Sequence, residues 1–247
     1  MVKTVKEIEI MAENGRILAG IMKSLEQKAK PGVTTKELDR AAEALVLKSG
    51  AKPSFKGYQG FPASLCTSLN QEIVHAVPSQ RRLAPGDLLS LDLGLFRKGY
   101  HADMAVTLCI GKARPEILNL VNAAKTALQK GIGQIKPGRT TGDIGWAIQN
   151  HAESQGFSVV RELCGHGIGR KIHEEPQVLN YGKKKTGIEL KEGMVLCLEP
   201  MLAAGSWRIK KSADGCGYET KDGSLSAHFE HMIAVLKHGA KILTVVR

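Results

Sequence analysis

The chain has 247 residues, 43% of them hydrophobic, enough to bury a full core as one large domain or two intimately packed halves. Basic residues outnumber acidic ones 35 to 24, a net charge of +11, and Met1 to Glu13 alternates charges with isoleucines, which excludes the uninterrupted apolar stretch of a signal peptide or membrane span. Five cysteines, an odd number without a Cys-x-x-Cys pair, argue against a disulfide framework and read as reduced thiols of a cytoplasmic protein.

Taken in chain order, Ile8, Met11, Ala12, Gly15, Leu18, Ala19, Met22 and Leu25 fall at helical spacing and predict a first helix. Lys30-Pro31-Gly32-Val33-Thr34-Thr35 follows, where Pro-Gly stops that helix and Thr caps a second one carrying Leu38, Ala41, Ala42 and Leu45. The same hexad recurs as Lys136-Pro137-Gly138-Arg139-Thr140-Thr141. Ile117, Leu120, Val121 and Ala124 precede this copy, and Ile144, Ala147 and Ile148 follow it. Each half is therefore expected to run helix, Pro-Gly-x-Thr-Thr, helix, then strands. The halves, about 1–112 and 113–247, meet near Gly111 to Pro115, with no flexible linker, so the chain is expected to form one domain.

Between the repeats, Leu88 to Leu95 alternates so that Leu89, Leu91, Leu93 and Leu95 share one face while Ser90, Asp92 and Gly94 share the other. The small neighbours of Asp92 leave room for an ion. A turn signal at Arg97-Lys98-Gly99 reverses the chain into a second apolar run, Met104 to Ile110, with Asp103 at its start; such a hairpin brings Asp92 and Asp103 to one centre. Gly165-His166-Gly167-Ile168-Gly169-Arg170-Lys171-Ile172-His173 then reads as a metal-centred catalytic loop, its glycines supplying positive φ and its imidazoles metal ligation or proton transfer. Downstream, Met194 to Leu198 is a short apolar strand ending in Glu199, and Phe229 to Leu236 is another, broken only by Glu230 and His231. An acid inside an apolar strand needs a partner. Asp92, Asp103, His166, Glu199 and Glu230 thus form an oxygen-rich donor set suited to Mn, Fe, Co or Zn rather than to a thiolate zinc site.

Several motifs in one order carry a resemblance: Gly57-Tyr58-Gln59-Gly60-Phe61-Pro62, Ser68-Leu69-Asn70 through His75, Asp92 with Asp103, the histidine run, Glu199-Pro200-Met201, and Ser224 through His231. Over nearly its whole length the chain resembles a type I methionine aminopeptidase of the pita-bread fold, an α+β architecture with helices covering one face of a curved antiparallel sheet. The resemblance implies two divalent ions, with Asp103 and Glu230 bridging both, Asp92 holding one, and His166 with Glu199 holding the other. It further implies that Glu199 accepts the proton of the attacking water, that His173 stabilises the oxygen of the tetrahedral intermediate, and that His75 contacts the scissile amide nitrogen. The methionine side chain is expected against Phe55, Tyr58, Phe61 and Cys66. Two positions depart from the family's pattern. Ile172 stands where an aromatic residue is usual and Cys216 where Trp is common, both read as smaller groups beside the pocket, giving a wider mouth. Asn70 and Ser226 match positions that help hold a monovalent cation in relatives.

By the same resemblance the substrates are nascent polypeptides bearing an N-terminal methionine and a small second residue, and the protein is a monomer. The N-terminal zinc-binding extension of some relatives is expected to be absent. The basic patches Arg81-Arg82, Lys183-Lys184-Lys185 and Lys210-Lys211 are weighed evenly between solubility and salt-sensitive contact with ribosomal RNA. Two other pita-bread readings compete: an Xaa-Pro-type peptidase, disfavoured because those carry a further N-terminal domain, and a non-catalytic peptide- or RNA-binding module, disfavoured because all five donors are present.

Overall fold

The computed structural model describes residues 2–246. Four helices form where the apolar spacing places them: α1 (Val5–Lys28), α2 (Thr35–Lys48), α3 (Pro115–Ile132) and α4 (Thr141–Ser154). The two hexad copies do equivalent work. Thr34 and Thr140 are the N-caps of α2 and α4, each hydroxyl accepting from the backbone N–H three residues on, while the Glu37 or Asp143 carboxylate accepts from the capping threonine's own N–H. Ahead of each cap, Gly32 and Gly138 sit at φ +87° and +83°, the left-handed turn that a side chain would strain. All eight residues expected on the inner stripe of α1 are buried; on α2 Leu38 and Ala42 are buried, Ala41 and Leu45 half-buried.

The first half supplies β1 (Lys52–Pro53), β2 (Leu65–Leu69), β3 (Glu72–Val74), β4 (Leu88–Arg97) and β5 (Tyr100–Cys109). The second supplies β6 (Ser158–Val159), β7 (Cys164–Gly167), β8 (Glu174–Leu179), β9 (Val195–Leu198), β10 (Met201–Ala203), β11 (Ile209–Lys211), β12 (Tyr218–Thr220), β13 (Ser226–His228), β14 (His231–Leu236) and β15 (Gly239–Ile242). Every pairing between these strands is antiparallel. β4 is flanked by β1, β2 and β5, while β15-β14-β9-β7-β8 forms the largest sheet. The β4–β5 hairpin closes through Lys98 and Gly99, both at positive φ, as the Arg97-Lys98-Gly99 signal requires.

Two large apolar clusters hold the helices to the sheets. One joins α1 and α2 to the leucine face of β4, Leu89, Leu91, Leu93 and Leu95, and also draws in Ile168, Val195 and Met232 from the second half; the other joins α3 and α4 to β9 and β14. Neither half encloses its core alone. They meet at an isolated bridge where the Glu230 N–H donates to the Ala105 carbonyl at 2.9 Å.

Three sequence expectations change here. Asp103 is the fourth residue of β5, not the start of its run, and lies opposite Gly94. Phe229 to Leu236 is not one strand: β13 stops at His228, β14 begins at His231, and Glu230 sits in the break. The histidine run is not a loop at its first histidine, because His166 lies within β7. Gly165, Gly167 and Gly169 have no positive φ; Gly165 and Gly167 are required by close approach of backbone. A Cβ on Gly165 would collide with the Cys197 carbonyl, and one on Gly167 with the Glu175 carbonyl.

Candidate metal centre

Strand periodicity aims the donors into one place. On β4 the leucines turn into the core, so Asp92 faces the other way; on β9 Leu196 and Leu198 pack into the second core while Val195 and Cys197 face the first, and Glu199 directly follows the strand. His166 lies directly across from Cys197 in the β7–β9 register. Asp92, Asp103 and Glu230 place carboxylate oxygens within 4.8 Å of one another, and His166, Cys197 and Glu230 form a second such group sharing Glu230. His166 Nε2 lies 3.3 Å from Glu199 Oε1, which links Glu199 to the same cluster.

The electrostatics of this arrangement call for cations. Burial, and then the charges of its neighbours Glu230 and Asp92, hold the Asp103 carboxyl well above the usual carboxylate range. Glu230 and Glu199 are pushed up well above it too, first by burial and then by the adjoining acids, and burial raises Asp92 to about 7. Asp92 Oδ1, Asp103 Oδ1 and Glu230 Oε1 are buried without hydrogen-bond partners. Such oxygens are costly unless something binds them, and divalent ions satisfy oxygens and charges at once.

The histidines are set for complementary duties. His166 Nδ1 is 3.0 Å from the Gly167 carbonyl oxygen, which accepts its proton and leaves the Nε2 lone pair facing the acids, the orientation a metal-ligating imidazole needs. Burial and the neighbouring His173 depress its pKa to about 3, so the ring is neutral. His173 packs edge-on against it with ring centroids 4.4 Å apart, and the Tyr58 hydroxyl lies 2.9 Å from His173 Nδ1. Donation by this hydroxyl to Nδ1 places the ring proton on Nε2. His75, with φ +58°, stands against Tyr218, and burial lowers its pKa to about 4.

These side chains line a cavity of about 300 Å³ whose walls include Phe55, Tyr58, Phe61, Cys66, Leu163 and Cys216. The apolar positions expected beside a methionine side chain are therefore together, and Cys216 does stand at the cavity. Ile172 does not. Neighbouring side chains diverge where the chain bends, so His173 faces the cavity while Ile172 is buried in the first core with Ile168, and its change from an aromatic residue leaves the cavity wall untouched. Gly94 gives less room than its size suggests, because the Phe55 ring and Ser54 already occupy the space a Cβ would take.

Sequence reasoning passed over Cys197 and His228. His228 is buried with both ring nitrogens unpartnered, its Nε2 4.0 Å from Glu199 Oε2. A period of two through Ser226, His228 and Glu230, and through Cys197 and Glu199, was the available signal. Leu163, Lys211 and Tyr218 complete the cavity from segments whose proximity no local pattern reports.

Residues 9–237 match the model of metallopeptidase family M24. The chain is 46% identical over 244 residues to methionine aminopeptidase 1 of Bacillus subtilis, covering 99% of this chain and 98% of that one. It superposes on the crystal structure of methionine aminopeptidase from Thermotoga maritima with a TM-score of 0.97 at 40% identity, covering 99% and 98% of the two chains. The prolidase from Pyrococcus horikoshii OT3, at 24% identity and a TM-score of 0.81 over 64% of its own length, shares the fold.

Proposed function

We propose a specific division of labour in this chain, which belongs to metallopeptidase family M24 and, within it, to the methionine aminopeptidases. Asp92, Asp103, His166, Glu199 and Glu230 would hold two divalent ions. Bound there, the ions supply Lewis acidity that polarises a carbonyl and makes water nucleophilic at neutral pH. The observation that carries the reading is the convergence of four carboxylates and one neutral imidazole on a cavity floor where three carboxylate oxygens lack partners.

The remaining groups act on the peptide. The cavity, small for a ligand site, suits one apolar side chain: Phe55, Tyr58, Phe61, Cys66 and Cys216 surround the N-terminal methionine, and the polymer extends outward. Glu199, whose burial and acidic neighbours make it a strong proton acceptor, takes a proton from water and returns it to the departing amine. His173, its Nε2 proton set by Tyr58, donates to the carbonyl oxygen as negative charge develops there. His75 lies on the Tyr218 side and contacts the scissile amide nitrogen. Substrates are nascent chains with a small second residue.

The decisive experiment strips the protein of metal, adds back Mn, Fe, Co or Zn singly, and follows Met-Ala-Ser cleavage beside an Xaa-Pro dipeptide. Activity that is lost on chelation, returns with one or more of these ions and is confined to Met-Ala-Ser supports the reading. Metal-replete Glu199→Gln or His75→Ala protein with full activity would sink the assigned roles. The Xaa-Pro alternative draws on fold likeness alone, and a non-catalytic module has no use for an intact donor set.

Among the described residues the cysteines are free and no helix is long and apolar enough to cross a membrane. By its resemblance to the methionine aminopeptidases we place the protein in the cytoplasm as a monomer. Ribosome contact falls to Lys183-Lys184-Lys185, Arg81-Arg82 and Lys210-Lys211, although Lys184 lies over the Trp146 ring, Arg81 pairs with Glu72 and Lys210 with Glu219. Salt-independent co-sedimentation with ribosomes would remove that contact from the account. The Ser226 N–H donates to the Asn70 carbonyl at 2.9 Å, so the pair proposed for a monovalent cation is adjacent, with one carbonyl already engaged.

A further inference from the structure

The donor set expected from sequence is oxygen and nitrogen only, yet the fold adds sulfur to it. Cys197, on β9, is the cross-strand partner of His166, and Glu199 directly follows that strand. The Cys197 Sγ, His166 Nε2 or Nδ1 and a Glu230 oxygen all lie within 4.8 Å of one another. Independently of the cysteine, Glu230 Oε1 is buried in that space without a partner. No other cysteine of the described residues belongs to a metal-capable group of this kind.

We propose that Cys197 makes this half of the centre thiophilic, so that Cd²⁺ or Zn²⁺ is held by His166, Cys197 Sγ and Glu230 together. The inference rests on the metallopeptidase reading, which supplies the metal site, and goes beyond it in adding a donor. As the ion binds, the S–H bond gives its proton to water and leaves its electron pair on the sulfur that ligates the metal. Thiolate favours Zn and Cd over Mn, whereas the carboxylate set alone discriminates much less. An ion held this way takes up the imidazole and the carboxylate that the oxygen-rich arrangement needs, so it competes with Mn-supported cleavage rather than supporting it.

Ultraviolet absorption during Cd²⁺ titration of the metal-free full chain tests this. A thiolate-to-metal charge-transfer band that grows with bound Cd²⁺ and is absent from Cys197→Ser, with the other four cysteines in place, is the expected result. The ratio of Cd²⁺ to Mn²⁺ affinity should also fall about tenfold or more in the variant. Cys197→Thr provides a second variant should the serine protein fail to fold, judged by near-ultraviolet circular dichroism. Bound Cd²⁺ with no such band in the wild type, or a band undiminished in both variants, would overturn the proposal. Mn²⁺-dependent Met-Ala-Ser cleavage by the same wild-type preparation separates the two questions: its absence would strike the peptidase reading, while the band alone decides the sulfur.

Discussion

If crowded carboxylates at the centre are held for metal, removing one should stabilise the metal-free protein while ruining the loaded one. Asp103→Asn is the sharpest case, because the amide is isosteric and its NH₂ meets only acceptors, Asp92 and Glu230. The ordinary value for Asp103 is 3.8 and the folded value lies well above it. Below the unfolded value both states hold the proton and no penalty arises. As pH climbs past it, the unfolded chain releases the proton and the folded one retains it, so stability is lost until the folded value is passed. The amide relieves one buried, uncompensated carboxyl, and on the scale of an unsatisfied buried polar group that is worth about 2 kcal/mol. For a chain of this size that is a rise of about 4–8 °C in melting temperature. Melting in EDTA at pH 7.5 and at pH 4 should show the variant ahead at the higher pH and level at the lower. With Mn²⁺ present the order should reverse, since only the wild type gains full binding energy. A variant less stable than wild type in EDTA at pH 7.5, or an advantage that does not vary with pH, would refute the reasoning.

Tyr58→Phe removes the hydroxyl that sets the His173 tautomer but keeps the ring in the cavity wall; kcat on Met-Ala-Ser should drop about 3- to 10-fold with KM nearly unchanged, and a rise in KM alone would mark Tyr58 as pocket wall only. Because burial and mutual repulsion raise the carboxyls of the metal-free centre, Mn²⁺ uptake at pH 7 should release protons measurable with an indicator dye, and affinity should fall as pH is lowered; proton-free binding would contradict the raised carboxyls. Gly165→Ala drives a Cβ into the Cys197 carbonyl and should cost at least about 3 kcal/mol in urea unfolding or abolish soluble protein, whereas a neutral outcome would show that β7 and β9 can part. Thr140→Ala removes the N-cap of α4 far from the centre and should lower stability by about 1 kcal/mol without changing activity per folded molecule.

Local rules governed what could be read in advance. The capping threonines, the leucine face of β4 and the Lys98-Gly99 turn all depend on contacts within a few residues, so spacing alone placed α1 to α4 and aimed Asp92 away from the core. Errors arose where long-range contact set the outcome. Gly165 and Gly167 are glycine because other strands' carbonyls press on them, not because the backbone turns there, and a periodic reading has no access to that pressure. The family resemblance puts Ile172 beside the pocket, yet the bend sends it into the core while its neighbour His173 faces the cavity. Cys197 is the most telling case. Its type and its apolar neighbours mark it as core, and it is indeed fully buried. Only the pairing of β9 with β7 puts it opposite His166, while the break between β13 and β14 brings Glu230 to its thiol. The carboxylates announce a metal centre because their charge is anomalous in apolar strands; a thiol is not anomalous there, so a sulfur donor becomes visible only once the strand register is known.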